Sequence, residues 1–297
     1  MQSGRLSMPG MRDTMPRSQH SRRLAALATH ALITEAELTP KPGLVDQRGA
    51  GAHHDLSLDL MRRSANVLRP YFATMAFVSA GSNVDTGLRQ ELAAIGRAAE
   101  RAMYAVTLGS NTHKGAIWTL GLLVAAAARA EHQNAGEIAS MAGTIARLPI
   151  RALPASITHG DIARTRYGAA GARGEAGSGF PHVIQYGLPV LSDRRMAGCS
   201  EEIGRLDALL AMMARLDDTC VLYRGGAEAL FVVKSGAKAV LAAGGYGHAS
   251  GRRRLHHLDR ELISRHISPG GSADLLAATI LLDALERDQS EDTHGAV

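Results

Sequence analysis

Ser268-Pro269-Gly270-Gly271-Ser272-Ala273-Asp274 runs straight into the apolar stretch Leu275 to Leu285. Proline cannot continue a preceding helix, and two glycines let the backbone come close to a ligand. The serine and aspartate then open a new helix whose first amides have no internal partners. Such an end is a ready anion site. The aspartate in the same turn predicts a cation between protein and anion. Asn111-Thr112-His113-Lys114-Gly115 repeats the pattern ahead of Ala116 to Ala128, with capping residues, a cation and a glycine. Two such starts, one with a lysine and one with an aspartate, predict a phosphate-rich ligand handled with a divalent metal.

Outward from these turns the same helical period recurs. Apolar residues at three- and four-residue spacing predict helices over roughly 21–38, 57–78, 86–107, 115–131, 136–147, 200–216, 227–243, 252–265 and 272–287. Leu230 to Val233 is the best strand candidate and is too short to weigh. The expected fold is an all-α, multi-helix bundle with functional loops between helices, a single catalytic domain over 21–290. Residues 1–20 lack apolar periodicity and read as a disordered lead-in. Arg22-Arg23 is not followed by an apolar core or a small-residue cleavage site, so an export signal is not expected. The stretch 151–192, with six glycines between 160 and 179, reads as a long loop. Its arginines suit phosphate, and its glycines suit a lid.

Composition narrows the function. With 297 residues the chain can bury a full core, and 33 basic against 28 acidic residues give a mild +5. That suits a polyanionic small ligand. A nucleic-acid partner is not expected, because arginine is spread along the chain and aromatics are only 4%. Cys199 and Cys220 have neither metal-ligand nor disulfide spacing, which suits a reduced cytoplasm. The longest apolar run, about Ile117 to Ala128, is too short to span a membrane.

The remaining polar motifs also fall in breaks between helices. Pro40 and Pro42 stiffen a turn that presents Lys41 and Asp46 to one side; a rigid connector with solvated charges is the plain alternative. His53-His54-Asp55 lacks a third ligand at helical spacing, and Asp55 is expected to cap the helix near Ser57. Asp217-Asp218 followed by Arg224-Gly225-Gly226 reads as a helix C-terminus. Two carboxylates there need a counter-charge, either an arginine or Mg²⁺, and Mg²⁺ suits Asp218 with Asp274. Trp118, Met212 and Met213 sit at core-like positions.

Taken together, Pro40 to Asp46, Asn111 to Ile117, Tyr167-Gly168 with Gly171 to Ala176, and Ser268 to Leu276 resemble the triphosphoribosyl-dephospho-coenzyme A synthase family. The resemblance spans about 35–285 and is closest to the malonate decarboxylase branch. Departures are small: Ser110 replaces an aliphatic residue, and the region of His159-Gly160 is looser. The resemblance implies that the ribose 2′-hydroxyl of 3′-dephospho-coenzyme A attacks C1 of the ATP ribose and adenine leaves. The product is a prosthetic-group precursor, passed to an enzyme that modifies an acyl-carrier subunit of malonate decarboxylase or, alternatively, of citrate lyase. A homo-oligomer is compatible with this reading.

The residues suit that chemistry. Substitution at a ribose C1 passes through an oxocarbenium-like state and needs a base on the incoming hydroxyl. Glu175 is the expected base, and His113 protonates or orients adenine. The catalytic set is thus Glu175, His113 and Asp218. Lys41, Asp46, Asn111, Lys114, Arg173 and Arg224 bind substrate, together with Ser268, Gly270, Gly271 and Ser272; Asp218 and Asp274 hold Mg²⁺. Two other readings stay open: a Mg²⁺-dependent nucleotide hydrolase, which releases adenine without an acceptor, and a non-catalytic binding protein, which releases none.

Overall fold

The computed structural model describes residues 14–130, 134–150 and 158–294. Among these residues every regular element is helical, apart from one isolated bridge between Asp46 and Gly49. The chain forms α1 (Thr14–Glu37), α2 (Leu58–Ser79), α3 (Thr86–Val106), α4 (Lys114–Ala127) and α5 (Ala135–Arg147). Next come α6 (His159–Tyr167), α7 (Gly171–Gly177), a π-helical stretch (Val183–Gly187) and α8 (Leu188–Met196). The last four are α9 (Glu201–Met213), α10 (Thr219–Ala242), α11 (Ala249–Ser264) and α12 (Gly270–His294). The all-α expectation holds.

α4 and α12 lie at the centre because their sequences are apolar on nearly every side. Leu120, Leu123, Val124 and Ala127 of α4 and Leu276, Leu281 and Leu282 of α12 are closed to solvent. A helix buried all round needs neighbours all round, and α4 packs against α1, α2, α3, α5, α7 and α12. Each fully buried leucine contributes about 1.5–3 kcal/mol. The outer helices are held by side-chain caps: Ser57, Asp85, Asn134 and Ser200 accept from the first turns of α2, α3, α5 and α9. The two innermost helices therefore carry the two polar turns into the interior at their N-termini.

Several local expectations are corrected. α1 starts at Thr14, so 14–20 is helical, while 1–13 lies outside the described residues. The predicted loop 151–192 is mostly helix. Its first seven residues lie outside the described ones, and Thr158 and Asp161 form a capping box at the head of α6. Leu230 to Val233 is inside α10. Asp55 is exposed, and Ser57 caps α2 in its place. Asp217-Asp218 does not close a helix: α9 ends at Met213 and Asp218 is the N-cap of α10. The helix dipole therefore favours Asp218. Gly226 is a kink inside α10, at φ 67° and ψ −161°, a conformation open almost only to glycine.

Candidate active site

Asp218 ties two helices together. Its Oδ1 accepts from the amides of Cys220 (2.9 Å) and Gly271 (3.3 Å), and its Oδ2 from the amide (2.8 Å) and hydroxyl (3.0 Å) of Ser272. It thus caps α10 and takes the first amides of α12 as well. Gly271 is required for this approach, since a Cβ there would stand 2.9 Å from Asp218 Oδ1. Burial raises the Asp218 carboxyl above its ordinary range, and the hydrogen bonds from Ser272 oppose that.

Asp274, one turn into α12, faces the start of α4. It accepts a hydrogen bond from the Ala116 amide, and Gly115 leaves the room it occupies. Burial first, then the charges of Glu35 and Asp218, push its carboxyl well above the usual range. Glu35 comes from the end of α1, where its Oε1 pairs with Lys41 Nζ at 2.5 Å. Lys41 is 1% exposed and also donates to the Glu35 carbonyl, so it is a buried ion pair and not a solvated charge.

His113 stands beside this group at the head of α4. Its Nδ1 shares a hydrogen bond of 2.8 Å with Ser64 Oγ, which in turn accepts from Thr112. Its Nε2 is buried without a partner among the described residues. Burial, reinforced by the Lys41 charge, lowers the imidazole to about 3, so His113 is neutral near neutral pH. Ser268 bonds His53 Nε2 at 2.9 Å, and His53 Nδ1 meets exposed Arg224 at 3.3 Å. Burial and the Arg224 charge lower His53 to about 4.

Lys41, His113, Asp218, Ser268, Gly271, Ser272 and Asp274 are thus brought together by the meeting of α4, α10 and α12. Gly270 packs beside Cys220 at the same junction, and Arg224 lies near Ser268 through His53. The other expected residues have different partners. Asp46 is ion-paired with Arg48, which also binds Asp259; although burial pushes its carboxyl up, the Arg48 and backbone hydrogen bonds hold it low. The same loop docks through Gly43, whose amide donates to Asp259 and whose Cα lies against the Ile267 carbonyl. Asn111 accepts from the Lys114 amide, and Lys114 faces Glu100 of α3 at 3.6 Å. Glu175, 6% exposed on α7, uses both oxygens on His182, one on its amide (2.9 Å) and one on its Nδ1 (2.7 Å). α7 itself starts at the junction, where Gly171 packs against Thr219.

Arg173 leads to an arginine that carried no motif. Arg89 of α3 is 2% exposed, stacks on Trp118 with its guanidinium carbon 4.3 Å from the ring centre, and lies within the field of Arg173. A desolvated cation–π contact contributes on the order of 2 kcal/mol, against several kcal/mol for an unpaired buried charge. The stacking alone does not balance the burial. Glu35, Arg48, Arg89 and His182 were missed from sequence, and His53 was weighed only as a metal ligand. For Arg89 a signal existed: it occupies an inward position of the period set by Leu88, Leu92, Ala99 and Met103.

The donors set limits on a metal. Among the described residues no three His, Cys, Asp or Glu side chains converge as a ligand set. Asp218 has both oxygens engaged, whereas Asp274 has one backbone donor, the Ala116 amide. One carboxylate with phosphate oxygens and water suits Mg²⁺, so the site fits that ion at Asp274. A separate open cleft between α10 and α11, lined by Arg253, Arg254, His257 and Glu261, contains none of these residues. Among the described residues no helix is long and apolar enough to cross a membrane.

The family model for ATP:dephospho-CoA triphosphoribosyl transferase matches residues 21–293. A relative from Azotobacter vinelandii, named probable 2-(5''-triphosphoribosyl)-3'-dephosphocoenzyme-A synthase, is 52% identical over 276 residues, 92% of this chain and 94% of its own. Relatives of the same name from Pseudomonas fluorescens and Pseudomonas paraeruginosa are each 53% identical, covering 90% and 91% of this chain and 92% and 93% of their own. No solved structure matches. The chain belongs to the ATP:dephospho-CoA triphosphoribosyl transferase family and is a transferase enzyme.

Proposed function

We propose that the enzyme joins the triphosphoribosyl group of ATP to the ribose 2′-hydroxyl of 3′-dephospho-coenzyme A, releasing adenine. The observation that carries this is Asp274, a carboxylate set between the N-termini of α4 and α12, where it accepts from the Ala116 amide and fills the room left by Gly115. A phosphate chain is attracted by both helix ends, yet a bare carboxylate would repel it; a cation at Asp274 reverses that sign. Mg²⁺ held by Asp274 would neutralise charge on the triphosphate. The amide of Gly270 is the one left for phosphate oxygens, since Asp218 takes those of Gly271 and Ser272.

Arg224 and Arg173 supply further cationic contacts from exposed positions, and buried Lys41 sets the local field beside His113. Neutral His113 presents its free Nε2 to adenine as a hydrogen-bonding partner, in keeping with its low pKa. Glu175 acts as base together with His182: the carboxylate holds Nδ1, and the opposite ring nitrogen can take the proton of the attacking hydroxyl. The product serves malonate decarboxylase in this reading, after transfer to its acyl-carrier subunit, and the reaction takes place in the cytoplasm.

An adenine-release assay tests the proposal. Purified protein is incubated with ATP and Mg²⁺, with and without 3′-dephospho-coenzyme A, and the products are read by chromatography and mass spectrometry. Adenine and a triphosphoribosylated coenzyme are expected only with both substrates. Adenine without acceptor would make the protein a hydrolase, and no adenine from ligand-binding protein would make it a carrier.

A further inference from the structure

Arg89 Nε and Trp118 Nε1 are both closed to solvent, and neither has a hydrogen-bond partner among the described residues. The Nε of the Arg89 guanidinium, on a residue 2% exposed, meets no acceptor among the described residues. The charge acting on it is another cation, Arg173. Burial, with that like charge, lowers Arg89 to about 10, which leaves it charged near neutral pH.

A core position filled by arginine needs a reason. A cation left unpaired in the interior destabilises the fold, and an apolar residue of similar volume would pack there without that cost. An oxyanion from outside would satisfy the arrangement. A guanidinium fork donates to phosphate oxygens in pairs, the indole N–H adds a third donor, and two neighbouring cations favour a group carrying more than one negative charge. Arg173 is exposed and Trp118 only partly buried, so the pair lies at the edge of the core, and a ligand must shift this cover to reach the two closed nitrogens.

We infer that Arg89, Trp118 and Arg173 form a phosphate-binding subsite, which takes either the triphosphate of one substrate or the pyrophosphate bridge of the other. The identity of those substrates rests on the function proposed above; the binding of a phosphate group does not.

The test uses the full chain with Arg89→Met, Arg173→Met and Trp118→Phe. Binding of inorganic tripolyphosphate is measured by calorimetry, and KM is measured separately for ATP and for 3′-dephospho-coenzyme A. Arg89→Met and Arg173→Met should each weaken tripolyphosphate binding at least tenfold, and Trp118→Phe, which keeps the ring face but removes the N–H, two- to fivefold. A rise in the KM of ATP identifies the triphosphate as occupant, and a rise in the KM of the coenzyme identifies its pyrophosphate. Unchanged tripolyphosphate binding and unchanged KM values in Arg89→Met would overturn the subsite. Should Arg89→Met fail to fold, unchanged values in the exposed-site variant Arg173→Met would overturn it equally. Arginine-dependent tripolyphosphate binding by a protein that releases no adenine would leave the subsite standing and remove the proposed function.

Discussion

The Asp274 carboxylate occupies the space that a side chain on Gly115 would fill: a Cβ at Gly115 would fall inside the radius of Asp274 Oδ2. The start of α4 and the first turn of α12 can meet around a carboxylate only because this residue is glycine. Gly115→Ala should therefore displace Asp274. Overpacking of this kind costs about 1–3 kcal/mol, while turnover should drop more than tenfold. Thermal unfolding and adenine release measured on the same preparation check this; full activity in a folded Gly115→Ala variant would show that the position of Asp274 is not needed.

Asp274→Asn should separate stability from function. The folded-state pKa of Asp274 is raised by burial and by Glu35 and Asp218, so ionising it in the fold is unfavourable. Its contribution is most favourable at low pH and declines as pH rises from the unfolded value toward the raised folded one. Asparagine keeps an acceptor for the Ala116 amide and removes the charge. At pH 8 the variant should thus resist urea better than the parent, with the advantage shrinking toward pH 4, and it should lose Mg²⁺-dependent turnover. Equal urea midpoints at pH 8 would mean that the repulsion is already relieved.

Asp218 predicts the opposite. Removing it uncaps α10, which costs about 0.5–2 kcal/mol, and strands the Ser272 amide and hydroxyl, at about 1–3 kcal/mol for each buried group. Asp218→Ala should destabilise the chain by about 2.5–8 kcal/mol on those figures. Asp218→Asn, which retains an acceptor oxygen, should lose roughly half as much. Denaturant titration of both variants decides it, and a loss below 1 kcal/mol in Asp218→Ala would show that the α10–α12 tie is dispensable.

Much of this was legible from local chemistry. Apolar periodicity placed the long helices, and the glycine-marked turns located the starts of α4 and α12, where the site gathers. The role of the glycines was not legible. Read as room for phosphate, Gly115 and Gly271 admit the protein's own Asp274 and Asp218, and only tertiary contact reveals that. The polarity of Asp218 was misread because α9 stops at Met213 and the break before α10 carries no proline or glycine. α7, Gly171–Gly177, has too many glycines to show a period, so its helix depends on packing against α4 and α5. Pairings across the fold, such as Arg48 with Asp259, leave no mark in either segment alone.

His113 links the site to pH. Its folded pKa, about 3, lies below the ordinary value of 6.5. Above 6.5 the histidine is neutral in both states. As pH falls from 6.5 toward 3, the unfolded chain takes up a proton that the folded chain refuses, so stability is lost in that window. His113→Gln should remove part of this slope: the drop in Tm between pH 7.5 and pH 5 should be smaller than in the parent. An identical drop would show that His113 is as easily protonated in the fold as outside it. In the reaction, the same low pKa predicts that turnover shows no limb from His113 between pH 5 and 8.

Glu175 and His182 form a carboxylate–imidazole pair with the geometry of a base and its orienting group. General-base assistance contributes about 10²–10⁴-fold, so Glu175→Gln should lower kcat by about 100-fold or more on that figure with the KM of both substrates nearly unchanged. His182→Asn should fall in the same range. Because the two would act as one unit, the double variant should be little worse than either single one. A purely structural pair would instead lower Tm and leave kcat within about threefold of the parent. Steady-state kinetics on the three variants, with unfolding measured alongside, separates these cases; full turnover in Glu175→Gln would place the base elsewhere.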